Sequence, residues 1–196
     1  RSSAASDVYK RQIRARPVSG PATSALCTIA EAGTGTAVRA LSGGTVARRP
    51  AVPGDPFADL DACALLDPPT VRVPGVDSNR VLAGFGNFSC GVGFNSAVTG
   101  TPYIYLSFGR RSPLTGAPVQ IGRHTAVSTP SSAAGGGNGS CEVALAQRSY
   151  ISPEGNQRVG VVSITFSSGT RMSDAQRCQA ATSVAAVVES KLPPPT

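Results

Sequence analysis

SDAQRCQAATSVAAVVESKLPPP, residues 173–195, is the most fully specified stretch of this chain. Ser173 followed by Gln176 is a capping-box pattern, and Asp174 falls in the first turn, where the positive end of the peptide dipoles favours an anion. Cys178, Ala181, Ala185, Val188 and Leu192 recur at alternating steps of three and four, which puts them on one face of a helix. Lys191 stands near the end of the pattern, and Pro193, Pro194 and Pro195 close it. A helix whose apolar face is so rich in alanine can approach a flat partner closely. The rest of the chain therefore has to supply a sheet.

Upstream, the apolar period changes from 3.6 to two. In NFSCGVGFN (87–95), Phe88, Cys90, Val92 and Phe94 alternate with Ser89, Gly91 and Gly93, as in a strand with one buried face. PYIYLSF (102–108) is a second β run, and VQIG (119–122) and TAVS (125–128) follow a turn at SPLTGAP (112–118). SCEVALA (140–146) places Cys141, Val143 and Leu145 together, and RVGVVSITF (158–166) does the same for Val162, Ile164 and Phe166. SSAAGGGNGS (131–140) reads as a flexible connection between two of these runs. Before the first strand, GDPFADLDACALLDPP (54–69) spaces Leu60, Cys63 and Leu66 by three, with Asp59 as the expected cap and Pro68-Pro69 as the stop. Helix, antiparallel strands, helix predicts an α+β two-layer sandwich. About five strands are expected, packed by a short N-terminal helix and the C-terminal helix.

Four cysteines lie on the apolar sides of these elements: Cys63 and Cys178 on the helices, Cys90 and Cys141 on the strands. Cys27 stands outside the pattern. An even, inward-facing set in a chain with no Trp and 5% aromatic residues predicts two disulfides and an oxidising compartment. A zinc site needs ligands at close spacing, whereas these cysteines stand 27, 51 and 37 residues apart. No C-x-x-C motif supports redox chemistry. Three pairings are open to four cysteines. Cys63–Cys90 and Cys141–Cys178, which join each helix to the strand nearest in sequence, is the expected one.

The net charge of +7 is lopsided: residues 1–50 hold eight of the eighteen Lys and Arg but only two of the eleven acids. The remainder is nearly neutral, which argues against a phosphate-binding surface and hence against nucleic acid as a partner. Residues 1–50 show no sustained apolar period and are expected to be a disordered, linker or non-native segment. The opening RSSAASDVYKRQ resembles text that recurs at the ends of translated metagenomic fragments, so an upstream signal or anchor is expected to be missing from it. Ser24-Ala25-Leu26 before Cys27 is a poor lipobox. Residues 51–196 are expected to form the extracytoplasmic domain.

Catalytic patterns are thin. His124, the sole histidine, lies in IGRHTAV and reads as a surface loop residue, with no G-x-S-x-G elbow to partner it. GTGTAV (33–38) has Val38 where a dinucleotide loop needs its third glycine, and no strand precedes it. Asp55, Asp59, Asp61 and Asp67 crowd the first helix, where capping and solvation account for them. No catalytic residue, metal ligand or cofactor is predicted. The candidate binding residues are Tyr103 and Tyr105, which share a strand face, with Arg110 and Arg111 at the following turn.

DPFADLDACALLDPPTV, FGNFSCGVGF, GAPVQIGRHTAV, GSCEVAL and RCQAATSVAAVVESKLP, in that order over residues 55–193, resemble a group of actinobacterial extracytoplasmic domains. These occur as lipoproteins of unknown function and as sensor regions of serine/threonine protein kinases. The resemblance implies an α+β fold outside the cytoplasm, no known catalytic residues, and a role in sensing or binding at the cell envelope, whether of a ligand or a partner protein. Attachment to a membrane would come only through an absent anchor. A small secreted hydrolase using Asp/Glu on a cell-wall polymer is the alternative reading.

Overall fold

The computed structural model describes residues 23–42, 57–94, 100–131, 139–152, 154–169 and 172–196. The chain divides into two compact units, Arg1–Arg49 and Pro50–Thr196. In the first unit, Thr23–Ser42 is a helix, α1, where the sequence predicts no regular element. Its less exposed residues, among them Leu26, Ala30, Gly33 and Ala37, are mostly small, and the larger Ile29 and Val38 are exposed. What supports it is local: several alanines favour a helix, and the threonine hydroxyls find acceptors one turn back without adding stability, Thr34 to Ala30 O at 2.7 Å and Thr36 to Ala32 O at 3.0 Å. A reading that looks for periodicity passes over a helix of this kind. The opening RSSAASDVYKRQ lies outside the described residues.

The second unit is α+β, as expected. A short helix α2 (Ala62–Leu66) precedes seven antiparallel strands: β1 (Val81–Ala83), β2 (Ser89–Val92), β3 (Tyr103–Arg111), β4 (Pro118–Ile121), β5 (His124–Ser131), β6 (Gly139–Ile151) and β7 (Gln157–Ser168). Helix α3 (Asp174–Glu189) closes the fold. The sheet order is β1-β2-β3-β7-β6-β5-β4. Its centre is the pair of long strands β6 and β7, which pair from Gly139↔Ser168 to Ile151↔Gln157 and so run well beyond the apolar stretches that mark them. Seven strands replace the expected five or so because β1, at three residues, is too short to show a period, and VQIG and TAVS pair with each other as full strands.

Both α2 and α3 pack on one sheet face. Ile104 and Leu106 from β3, Val162, Ile164 and Phe166 from β7, and Val143 and Leu145 from β6 are fully buried there. The predicted face of α3 is the observed one: Ala181, Ala185 and Val188 are buried, Leu192 follows in the core, and Cys178 packs against it. The capping box at Ser173 and Gln176 is present in both directions.

Two details differ from the sequence reading. The cap of α2 is Asp61, which accepts from the Cys63 and Ala64 amides at 2.8 and 3.1 Å, because residues 57–59 form a turn and the helix starts later than Asp59 would allow. Phe88 and Phe94 are exposed and lie outside β2. The strand stops at Gly93, whose φ of +83° no side chain adopts readily; a Cβ there would stand 2.8 Å from Pro102 O.

The disulfides are Cys63–Cys90, tying α2 to β2, and Cys141–Cys178, tying α3 to β6. The bridges span 27 and 37 residues. Loops of such length restrict the unfolded chain enough to stabilise the fold by about 3–4 kcal/mol each. The double substitution Cys141→Ala/Cys178→Ala should therefore lower the free energy of urea unfolding by about 3 kcal/mol relative to the oxidised protein. A loss under about 1 kcal/mol would mean that the bridge constrains little.

Candidate functional site

The four residues singled out for binding do not converge. Tyr103 and Tyr105 point away from the helices, opposite Ser167 and Thr165 of β7. Tyr105 is exposed, while Tyr103 packs edge-on against Phe94 with centroids 5.5 Å apart. Arg110 and Arg111, being adjacent on β3, project to opposite faces. Arg111 shares the tyrosine face; its backbone stands six residues from Tyr105, about 20 Å at strand spacing, but its guanidinium runs back to grip both oxygens of Glu142, which lies across β7 from Tyr105, and is engaged there. Burial opposes the charge on Glu142, yet hydrogen bonding and attraction from Arg111 outweigh it and hold the carboxyl below the usual range. The Ser163 hydroxyl nearby adds a weaker pull without reaching hydrogen-bond geometry.

A groove of about 320 Å³ opens instead between α3 and the segment after α2. Leu66, Val71, Val73, Val184 and Val187 form its apolar wall, with Thr70, Arg72 and Ser183 supplying its polar groups. It exists because Pro68-Pro69 turn the chain out of α2 through a short 3-10 turn, so residues 71–73 run beside α3 without filling the space between. Its volume is at the small end of the range for ligand pockets. The sequence holds no signal for this site, since its walls are ordinary aliphatic residues brought together from 66–73 and 183–187.

The other concentration of chemistry is a buried polar cluster at the far end of α3. His124 opens β5 and is wholly buried, which corrects its reading as a surface loop residue. Gly122, at φ +55°, makes the tight β4–β5 turn that swings the histidine inward. Nδ1 lies 2.8 Å from Glu189 Oε1 and Nε2 lies 2.7 Å from Gln147 Oε1. Gln147 reaches the ring from a β-bulge between Ala146 and Arg148. The Arg123 amide donates to Glu189 Oε1 at 2.8 Å, and its guanidinium donates to Leu192 O at 3.0 Å. The Arg123 amide first, then the His124 ring, keep the Glu189 carboxyl below the usual range despite its burial. Sealed from solvent, this histidine is positioned for structure and not for contact with a substrate.

Four further carboxylates are engaged: Asp61 in the α2 cap, Asp67 with Lys191, Asp77 with Arg80 and Asp174 with Arg177. Among the described residues no group of three His, Cys, Asp or Glu could hold a metal ion, and no helix is long and apolar enough to cross a membrane. Comparison with known protein families, with curated proteins and with solved structures finds no match.

The lowered carboxyls of Glu142 and Glu189 fix the sign of the acid response. Their folded forms hold protons less tightly than the unfolded chain, so their contribution is complete above the unfolded carboxylate range and is lost as the pH falls through the folded values. The urea midpoint should drop between neutral pH and the acid side of that range, and Glu189→Gln should reduce the drop. An unchanged pH dependence in that variant would contradict the assignment.

Proposed function

We propose that Pro50–Thr196 is a noncatalytic recognition domain of the bacterial cell envelope, secreted or tethered, which binds its target in the groove between α3 and residues 70–73. The pair of disulfides carries this reading. Bridges of this kind persist outside the reducing cytoplasm, and here they join both helices to the sheet. The resemblance of the motif order to actinobacterial lipoproteins and kinase sensor regions points the same way. Most of the unit's carboxylates sit in caps and ion pairs, an arrangement suited to structure and not to acid/base work on a glycan.

The groove favours a small, mainly apolar group presented by a larger envelope molecule. Its aliphatic wall gives a hydrophobic contact, and Arg72 and Thr70 at the rim can meet a polar or anionic end. Arg72 uses Nη1 to brace the segment, donating to Pro69 O at 2.6 Å and Val71 O at 3.3 Å, which leaves the rest of the guanidinium facing outward.

Amide chemical-shift mapping with peptidoglycan fragments and with acylated glycerol phosphates tests this directly. One of these classes should shift residues 71–73 and 183–187, and Val187→Arg should abolish the response while leaving the fold intact, because Val187 is exposed. Release of reducing sugar from peptidoglycan, or shifts centred on Tyr105 and Thr165, would overturn the proposal.

A further inference from the structure

We propose that the groove between α3 and residues 70–73 takes the acyl chain of an anionic glycerophospholipid, with the phosphate on Arg72; this rests on the groove being the recognition site. What the groove can bind is set by the donors it has to spare. The Thr70 hydroxyl donates to Asp67 O at 2.9 Å and the Ser183 hydroxyl to Gln179 O at 3.0 Å, so both hydroxyls of the wall serve the chain itself. The Thr70 and Val71 amides are taken as well, by Asp67 O at 2.8 Å and Pro68 O at 3.2 Å. Ser183, Val184 and Val187 lie inside α3, where the backbone bonds itself. A glycan or a peptide would bring many polar groups against this wall, and those groups would lose water without gaining partners. A hydrocarbon chain has no such loss and gains contact with Leu66, Val71, Val73, Val184 and Val187. At about 30 Å³ for a group the size of a water molecule, the groove's 320 Å³ holds about ten chain carbons.

The head is chosen by Arg72. Among the described residues of the lining it is the one charged group, and no carboxylate there competes with an anion. Nη1 is committed to Pro69 O at 2.6 Å and Val71 O at 3.3 Å. Among the described residues nothing takes the protons on Nε and Nη2. Those two N–H groups lie parallel and match two oxygens of one anion.

Arg72 is exposed, whereas Leu66, Val71 and Val184 are buried. The charge therefore stands at the solvent lip and the apolar floor lies beneath it. In a glycerophospholipid the glycerol sets the phosphate apart from the chain in the same way. The carboxylate of a free fatty acid joins its chain directly, so it would leave either the floor or the guanidinium unfilled.

Monoacylglycerol phosphates from hexanoyl to dodecanoyl, titrated below their micelle concentrations into the full oxidised chain by calorimetry, test both halves of the site. Affinity should rise about fourfold per methylene until the groove is full at about ten carbons. The uncharged monoacylglycerol of equal length should bind about tenfold more weakly, and in Arg72→Gln the two heads should bind alike. Affinity indifferent to chain length, equal affinity for the charged and uncharged heads in the native protein, or decanoate as tight as decanoylglycerol phosphate each overturns the proposal. Amide shifts at 71–73 and 183–187 with peptidoglycan fragments and none with any lipid would overturn the lipid while leaving the groove as the recognition site; silence from both classes removes both. The native protein with the two heads decides, so misfolding of Arg72→Gln changes nothing.

Discussion

A sheet of seven strands needs an apolar cover, and this domain puts its cover on one face with very little helix. α2 has five residues and α3 has sixteen. The chain has no Trp and few aromatic side chains to widen either layer. Covalent attachment makes so thin a cover workable. Cys63–Cys90 holds α2 over β2, and Cys141–Cys178 holds the first turns of α3 over β6. Alanine at 181 and 185 lets α3 settle close to β6 and β7, so that close packing replaces bulk.

The far end of α3 is fastened without sulfur. Glu189 binds His124 and the Arg123 amide, Arg123 returns to Leu192 O, and Lys191 reaches across to α2 at Leu65 O and Asp67. One end of the helix is thus covalently fixed and the other is held by charge, and only the second can respond to pH. The groove lies along the same helix, at Ser183, Val184 and Val187, between those two anchors.

The C-terminal helix, its cap and its buried face were legible in residues 173–192, because capping and spacing are local codes. The facing strand residues of β6 and β7 were legible for the same reason. Sequence spacing placed all four inward cysteines and favoured the pairing that is observed, although three were open to it. What escaped notice was set by tertiary geometry. His124 looks like a loop residue until Gly122 turns it under α3, where Glu189 lies 65 residues away in sequence. Arg111 reads as a free charge in the text, yet its guanidinium is taken up by Glu142, 31 residues away in sequence. The groove's wall is made of aliphatic residues that carry no chemical signature.

The whole account turns on two helices being sewn to one sheet face in an oxidising compartment. The most direct measurement is mass analysis of an alkylated digest prepared without reduction from protein exported to a bacterial periplasm. Linked peptides containing Cys63 with Cys90 and Cys141 with Cys178, and alkylation at Cys27 alone, are predicted. Alkylation at all four inward cysteines, or peptides crossing the two pairs, would contradict it.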